Sequence, residues 1–205
     1  MNLLFEPYDP QGHDPTTVAR LIFEADPQLT SLVMGPEDKA VSRFKILLET
    51  EGSPWSASRT TVVVNEGKVV GVIVGSYGDE RKEADSKAMQ WGRALGLRWL
   101  LGSIRMGMKM VNAVTKHVAS DEYYPLALTV HEECRGKGVG SEMMRWILDR
   151  HPKVVIDVNI NKDDAIRFYR RHGFEIVEEN TIMHKGERIG NYSMKNEKDT
   201  PRIED

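Results

Sequence analysis

The sequence predicts a single α/β domain, and three observations lead to that fold class. Its 205 residues, of which 40% are hydrophobic and 29% charged, suit one globular domain with its own core. Segments with the alternating pattern of β-strands are separated along the chain by segments with helical periodicity. A glycine-rich stretch lies between a predicted strand and a predicted helix, an arrangement typical of phosphate-binding sites.

Helix starts are indicated by residues that favour a helix N-terminus. Asp14-Pro15 combines an N-cap residue with proline at the first helical position, and Pro36-Glu37-Asp38 places proline and two acids there. A third helix is predicted at residues 141–150. A fourth begins at Asp163-Asp164 and ends before Gly173, a residue type common just after a helix.

Strands are indicated by β-branched residues and by alternation of apolar and polar positions. Asn65-Glu66-Gly67 joins two valine-rich segments as a hairpin, with Gly67 at a positive φ. The predicted order is βααββ, an insertion, and βαβαββ. The predicted strands are residues 3–8, 60–64, 68–77, 124–130, 153–160, 174–178 and 190–195.

The insertion at residues 81–118 is predicted to be helical, although several glycines interrupt it. Its most apolar window is not expected to span a membrane, because charged residues within it would be costly in a bilayer. The C-terminal residues 196–205 are polar and lack an apolar face, so we expect a flexible tail after one domain at 1–195. The charged residues of the apolar window are Arg93, Arg98, Arg105 and Lys109.

Charge and cysteine content exclude several classes of protein. A formal net charge of −3 argues against nucleic acid as the main partner, because phosphate binding needs a basic surface. The only cysteine, Cys134, cannot form an intramolecular disulfide, and no Cys/His spacing typical of a zinc site occurs. We therefore expect no metal site and a cytoplasmic location, since the N-terminus also lacks a secretory signal.

The glycine-rich stretch runs from Arg135 to Gly140 with the sequence RGKGVG. Consecutive backbone N–H groups and a helix N-terminus can hold an anion there, and glycine allows phosphate oxygens to approach the main chain. A Walker A loop is disfavoured because no Gly-Lys precedes Ser141, and a Rossmann fingerprint is disfavoured because the glycines are misspaced. An ordinary glycine-rich turn remains the alternative.

These residues resemble the GNAT superfamily of acetyl-coenzyme A-dependent N-acetyltransferases. Its Arg/Gln-x-x-Gly-x-Gly/Ala cofactor loop is matched by Arg135, Gly138 and Gly140, and its Ala-x-x-Phe-Tyr-x-x-x-Gly-Phe segment is similar to residues 165–174. The resemblance covers residues 124–195 and implies a mixed, mostly antiparallel sheet flanked by helices, with the insertion between strands three and four. It also implies acetyl-CoA as co-substrate.

The resemblance further implies roles for individual residues. The end of strand four would offer backbone groups to the pantetheine arm, with the Val130 N–H polarising the thioester carbonyl. Tyr169 would protonate the departing thiolate. Glu132 stands where many members carry a proline before the loop. Lys162 stands where members often carry an asparagine, which makes the preceding Asn161 a less regular contact. The implied cofactor-binding residues are Leu128, Val130, Arg135, Gly136, Lys137, Gly138, Val139, Gly140, Ser141, Asn161 and Tyr169.

The sequence does not identify the general base, and we favour Glu122 over Asp121 and His117. The alternative for Glu122 is a solvated carboxylate in a charged turn. We expect a primary amine of a small molecule or a peptide to attack the thioester directly in a ternary complex. The insertion is expected to shape the acceptor site, or else to serve core packing or a homodimer surface.

Two other functions are compatible with the sequence. A non-catalytic acetyl-CoA-binding sensor would keep the cofactor loop without serving an acceptor. A nucleic-acid-binding module would use the basic insertion and would bind DNA with a strong salt dependence.

Overall fold

The computed structural model describes residues 1–96, 118–184 and 187–197. Residues 97–117 of the predicted insertion, including His117, and residues 198–205 of the predicted tail lie outside the described residues. The described part is a mixed α/β fold around one seven-stranded, mostly antiparallel sheet, which confirms the predicted fold class. Within these ranges no helix has the length and apolarity needed to cross a bilayer.

Strands and helices alternate in the predicted manner, with short 3₁₀ turns at Ala57–Arg59 and Glu132–Cys134. In chain order the elements are β1 (Leu3–Pro7), α1 (Pro15–Ala25), α2 (Pro27–Met34), α3 (Glu37–Glu49), β2 (Thr60–Asn65), β3 (Lys68–Tyr77), α4 (Gly78–Ser86), α5 (Ala88–Ala94), β4 (Tyr123–Val130), α6 (Val139–Arg150), β5 (Lys153–Asn159), α7 (Asp163–Arg171), β6 (Glu175–His184) and β7 (Glu187–Glu197).

The sheet has the strand order β1-β2-β3-β4-β5-β7-β6, and every neighbouring pair is antiparallel except β4 and β5. These two strands run parallel and pair only at Tyr123 and Val154, near their starts. Beyond that pair they diverge. We call the gap between residues 124–130 of β4 and residues 155–159 of β5 the β4–β5 cleft.

A β-bulge lies in β4 beside this cleft. Val74 of β3 pairs with Ala127, whereas the next residue, Gly75, pairs with Pro125. Leu126 is therefore the extra residue of β4, and such an extra residue bends the strand and disrupts its regular pairing.

Helices cover both faces of the sheet, and each face has its own apolar core. Helices α1, α2 and α3 pack on one face, with Val18, Leu21 and Phe44 among their buried residues. Helices α6 and α7 pack on the other face, through residues such as Met143 and Ile166. We refer to the α1–α3 face and the α6–α7 face.

The N-terminal helices show where local sequence signals succeed. Asp14 caps α1 by accepting hydrogen bonds from the backbone N–H groups of Thr16 and Thr17, as its N-cap prediction requires. Helix α2 was not predicted, although Asp26-Pro27 repeats the same signal and Asp26 caps it by accepting from the Leu29 N–H. Three helices, rather than two, therefore separate β1 from β2.

The remaining differences concern turns and element ends. The hairpin between β2 and β3 has a two-residue turn in which Gly67 has φ 74° as predicted, while Glu66 also has a positive φ of 52°. Helix α4 begins at Gly78, before the predicted insertion. Strand β7 continues into the predicted tail through Glu197, and the Asn196 side chain donates 3.0 Å hydrogen bonds to two carbonyls after α7.

Candidate functional site

The glycine loop lies at the mouth of the β4–β5 cleft and leads directly into α6. Gly136 and Gly138 have φ angles of 73° and 87°, and a Cβ added at either would meet nothing within 4 Å. These two residues thus combine left-handed backbone with open space beside the main chain. A pyrophosphate group fits such a cradle, because oxygens can approach the backbone without meeting side chains.

Helix α6 presents free backbone donors to this space. It starts at Val139, with Gly138 as its N-cap residue and without a side-chain cap. The N–H groups of Val139, Gly140 and Ser141 have no partner within the helix, because the first turn of a helix leaves its donors unpaired. Val139 itself is 1% exposed, so its side chain anchors the helix start in the core.

Two basic residues flank these donors. Lys137 is exposed. The Arg135 side chain instead donates from Nε to the Val130 carbonyl oxygen at 2.9 Å and from Nη2 to the Glu24 carboxylate at 3.0 Å. Arg135 therefore connects the loop to the end of β4 and to α1, and its guanidinium is already positioned beside the cradle.

The backbone of Val130 faces the cleft. The N–H of the next residue, His131, donates to the Val70 carbonyl of β3 at 2.9 Å. Successive residues of a strand direct their N–H and C=O groups to opposite sides, so the Val130 groups point away from β3 and toward β5. The Val130 N–H is thus directed into the gap that the diverging strands leave.

Tyr169 lies on the same face of the sheet as the end of β4. The side chains of Leu128, Val130, Phe168 and Tyr169 all pack against the α6–α7 core. The ring of Phe168 also lies 3.6 Å from the place where a Gly140 Cβ would be. The structure therefore brings the tyrosine helix, α7, against β4 and the glycine loop, from which α6 and β5 separate it in the sequence.

The Tyr169 hydroxyl is protonated over the whole physiological range. Burial raises the pKa of Tyr169 to about 12, with no other cause of the shift. Its ring contacts those of Phe168 and Phe174, at centroid distances of 5.2 and 5.8 Å. The Tyr169 side chain therefore lies among aromatic rings and keeps its proton at neutral pH.

Asn161 lies in the turn between β5 and α7, where its side chain is exposed. Its neighbours tie this turn to the corner between α1 and α2. Lys162 Nζ donates to the Ala25 carbonyl at 2.9 Å, and Asn159 Nδ2 donates to Gln28 Oε1 at 3.3 Å. Arg135 of the glycine loop bonds to Glu24 of α1 as well. The corner between α1 and α2 therefore contacts the loop after β4 on one side of the cleft mouth and the turn after β5 on the other.

Glu122 is not the solvated carboxylate of the alternative interpretation, because it is only 4% exposed. It accepts a hydrogen bond from the Ala119 N–H and pairs with Lys195 of β7. It also precedes β4, so Val130 lies about 26 Å along the strand at roughly 3.3 Å per residue. This placement favours a structural role for Glu122 over that of a base.

A polar cluster that we did not predict lies where β4 and β5 diverge. Tyr124 Oη donates to Asp157 Oδ2 at 2.9 Å, and Ser193 Oγ donates to Asp157 Oδ1 at 2.6 Å. The guanidinium of Arg81 lies over the Tyr124 ring, 4.5 Å from its centroid. Burial raises the pKa of Asp157, while the two hydrogen bonds and the charge of Arg81 lower it.

One sequence signal pointed toward this cluster. Asp157 is an acid inside the β-branched strand segment KVVIDVN, and an acid in a buried strand needs a partner. The partners themselves lie on β4 and β7. Their identity depends on the strand register, which local sequence patterns do not reveal.

A mostly apolar cavity of about 270 Å³ lies on the α1–α3 face and extends to β4. Phe44 and Trp55 form part of its wall and meet edge to face at a centroid distance of 5.7 Å. Tyr124 and Leu126 line its β4 side. Among the described residues, no group of His, Cys, Asp or Glu side chains is arranged to hold a metal ion.

Comparison with known proteins gives matches in sequence. Residues 100–176 match a family model described as an acetyltransferase (GNAT) domain. The peptidyl-lysine N-acetyltransferase YiaC of Escherichia coli (strain K12) is 33% identical over 52 residues, which are 25% of this chain and 36% of that enzyme. The chain thus matches only about a third of the length of that relative.

Solved structures match over nearly the whole chain. An N-acetyltransferase from Staphylococcus aureus Mu50 superposes with a TM-score of 0.66 at 16% identity, covering 94% of this chain and all of that one. A protein described as histone acetyltransferase HPA2 and related acetyltransferase, from Corynebacterium glutamicum ATCC 13032, gives a TM-score of 0.62 at 16% identity and covers 99% and 100% of the two chains. At such identities the similarity concerns the fold. Residues 100–176 are thus similar to a GNAT acetyltransferase domain, and the single pairing between the parallel strands β4 and β5, with the glycine loop that follows β4, agrees with that similarity.

Proposed function

We propose that this protein transfers an acetyl group from acetyl-CoA to a primary amine of a small molecule or peptide, by direct attack within a ternary complex. The observation that carries the proposal is the cleft between β4 and β5, which pair only at Tyr123 and Val154. The open glycine loop lies at the mouth of that cleft. A thioester with a long, thin arm suits such a cleft, because its diphosphate end and its reactive end need separate sites.

The diphosphate is assigned to the glycine loop. Free N–H groups at the start of α6 and the adjacent charges of Arg135 and Lys137 favour an anion there. The positive end of the α6 dipole adds to this attraction. Leu128 and Val130 would contact the pantetheine arm from the β4 side, and Asn161 would do so less closely, from the turn after β5.

Two groups of this chain support the chemistry. The Val130 N–H, directed into the cleft, is placed to donate a hydrogen bond to a carbonyl oxygen that gains negative charge, a contribution of roughly 2.7 to 4 kcal/mol in enzymes where it has been removed. Tyr169 holds its proton, because burial raises its pKa to about 12. Its proton is therefore present at neutral pH for transfer to a leaving thiolate.

The separate cavity on the α1–α3 face supports a ternary complex. It reaches β4 at Tyr124 and Leu126, whereas the glycine loop and Tyr169 approach β4 from its end and from the other face. An amine and a thioester would thus reach the same strand from different sides. No covalent acetyl-enzyme is needed when both can be bound together.

Release of free coenzyme A thiol tests the proposal. The protein is incubated with acetyl-CoA and a panel of alkylamines, arylalkylamines, polyamines, amino acids and lysine-containing peptides. The Tyr169→Phe variant is assayed in parallel under the same conditions. We expect amine-dependent thiol release that falls about 100-fold or more in the variant, as for loss of a general acid. Binding of acetyl-CoA by calorimetry without turnover of any amine would instead favour the non-catalytic sensor.

A further inference from the structure

Arg81 gives the cavity on the α1–α3 face a positive charge that the chain leaves partly unmatched. This residue of α4 lines the cavity together with Tyr124 and Leu126 of β4. Its guanidinium lies over the Tyr124 ring, 4.5 Å from the ring centroid. The Nη1 atom of the guanidinium is buried and, among the described residues, has no hydrogen-bond partner. A buried charged donor without an acceptor is costly, so an acceptor supplied by a ligand would stabilise it.

The acids around Arg81 are engaged elsewhere or exposed to solvent. The Asp157 carboxylate accepts its hydrogen bonds from two hydroxyl groups, on β4 and β7. Burial raises the pKa of Asp157, and the charge of Arg81 only opposes that rise. Asp26 accepts from the backbone at the start of α2. Asp85 follows Arg81 by one turn of α4, but it is exposed, and solvent and salt screen its charge.

The rest of the cavity wall is mainly apolar. Side chains from α1, α2 and α3 and from the segment before β2 face the cavity. A volume of about 270 Å³ is close to the lower end of small-molecule sites, which are roughly 300 to 1,000 Å³. A small molecule that fills this space therefore needs an apolar body. The apolar contacts include Ile22, Leu29, Val33, Phe44 and Trp55.

A carboxylate is the anion that suits this combination of charges. The planar guanidinium presents its donors in a fork that matches the two oxygens of a carboxylate. A phosphate monoester would carry about 1.5 to 2 negative charges at neutral pH. Because Asp26 and Asp85 line the same cavity, they would repel such a group more strongly than a group with one charge.

We infer that this cavity binds an apolar molecule that ends in a carboxylate, and that the guanidinium of Arg81 holds the carboxylate. Burial of the apolar body between the helices and the sheet supplies affinity. The charged hydrogen bonds to Arg81 fix the orientation of the ligand and select an acid over a neutral analogue. This site goes beyond the proposed acetyl transfer, because no step of that reaction uses Arg81.

Two kinds of molecule present this chemistry, namely an acetyl acceptor with a carboxylate at its far end and a separate carboxylic acid. The position of Arg81 restricts the first kind. Tyr124, whose ring carries the guanidinium, precedes Val130 by six residues, which is up to about 20 Å along a strand at roughly 3.3 Å per residue. An α-amino acid cannot reach both places, because one carbon separates its amine from its carboxylate. An acceptor held by Arg81 therefore needs a long apolar body between the two groups.

Octanoate and octanamide test the site as a matched pair, because they differ in charge but hardly in shape. Each is titrated into the whole protein by calorimetry. We expect octanoate to bind at least about tenfold more tightly than octanamide, because its carboxylate gains charged hydrogen bonds. Arg81→Met, which keeps an unbranched side chain over Tyr124, should lose about tenfold or more in affinity for octanoate and stay within about threefold for octanamide. No binding of either ligand, equal wild-type affinities or equal losses in the variant would overturn the inference.

Two further variants complete the experiment. Arg81→Lys keeps the charge but loses the planar fork, so its octanoate affinity should lie between those of the wild type and Arg81→Met. It carries the test if urea unfolding shows that Arg81→Met is not folded. Asp157→Asn removes the acid whose pKa Arg81 affects but leaves the guanidinium in place, so it should bind octanoate at least as tightly as the wild type. A loss in Asp157→Asn as large as that in Arg81→Met would overturn the role of Arg81.

A turnover assay distinguishes the two sources of the carboxylate. If the acceptor carries it, the KM for ω-aminododecanoate should be at least about tenfold lower than that for its amide, in the wild type but not in Arg81→Met. Leucine should show no such advantage over leucinamide. Equal KM values for the acid and its amide, with octanoate still bound through Arg81, assign the site to a separate carboxylic acid. Failure to acetylate any amine would overturn the proposed function, whereas the octanoate titration tests Arg81 without any turnover.

Discussion

Arg135 donates from its Nε to the carbonyl oxygen of Val130 at 2.9 Å, which joins the glycine loop to the last residue of β4. The same side chain reaches Glu24 of α1 at 3.0 Å. Three parts of the proposed site, the loop, the strand end and the α1–α2 corner, are thus connected through one guanidinium. Its second role would be to pair with a diphosphate.

Replacement of Arg135 by glutamine tests that role. Exposed ion pairs contribute about 0 to 1 kcal/mol, so we expect little change in thermal stability. The dissociation constant for acetyl-CoA should rise about tenfold, since a charged hydrogen bond is lost. Calorimetry measures the affinity, and Glu24→Gln is the matched control because it removes the same ion pair but keeps the guanidinium. Equal affinities of Arg135→Gln and Glu24→Gln would contradict the assignment.

Gly138→Val tests the cradle. A β-branched residue at φ 87° is strained by about 1 to 3 kcal/mol, and its side chain would occupy the open space beside the α6 amides. Gly67→Val is the matched control, because Gly67 has φ 74° and equally open surroundings in a distant hairpin turn. Both variants should lose similar stability in urea unfolding. Only Gly138→Val should lose affinity for acetyl-CoA, and a similar loss in Gly67→Val would argue against the loop.

Glu122→Gln tests the structural role of the Glu122–Lys195 pair. The free energy of unfolding should fall by about 1 to 3 kcal/mol, because a buried charged hydrogen bond is lost. Lys195→Met should cost more, since it leaves the Glu122 carboxylate, whose side chain is 5% exposed, without its cation. Turnover per folded molecule should be unchanged in Glu122→Gln. A loss of kcat by about 100-fold at unchanged stability would restore Glu122 as the base.

His151 makes stability depend on pH. Its ring stacks on Tyr123 at a centroid distance of 3.7 Å and its Nδ1 lies 2.8 Å from the Tyr77 hydroxyl. Burial, followed by the charge of Arg150, lowers the pKa of His151 to about 4 from 6.5. The unfolded chain therefore binds a proton first as the pH falls.

The His151 contribution to stability is thus complete above pH 6.5 and is lost as the pH falls toward 4, with a limiting slope of about 1.4 kcal/mol per pH unit. Urea unfolding of the wild type and of His151→Asn, measured between pH 4 and 8, isolates this contribution. The two curves should converge at low pH. Parallel curves across this range would show that His151 titrates normally in the folded protein.

Local signals in the sequence were enough for most elements and for the glycine loop. Asp14-Pro15 predicted a helix start, and the glycines of the loop predicted left-handed backbone because few other residues adopt it. The sequence does contain a start signal for helix α2, because Asp26-Pro27 repeats the pattern of Asp14-Pro15, but the predicted order omits this helix. Its short length and its single fully buried residue, Met34, give it little periodicity.

Contacts that depend on register could not be predicted. Asp157 meets Ser193 because β5 pairs with β7 in one particular alignment, and it meets Tyr124 because β4 and β5 diverge just beyond one pair. The bulge at Leu126 likewise arises from the pairing of β3 with β4. The partner of Glu122 could not be predicted for the same reason, because Lys195 lies on a strand that is distant in the sequence.

A crystal structure of the protein soaked with coenzyme A is the most direct test of the central claim. We predict the diphosphate within hydrogen-bond distance of backbone amides in residues 136–141, and the pantetheine arm between β4 and β5 beside Leu128 and Val130. A coenzyme settled elsewhere on the protein, or a cleft blocked by the chain itself, would contradict the account.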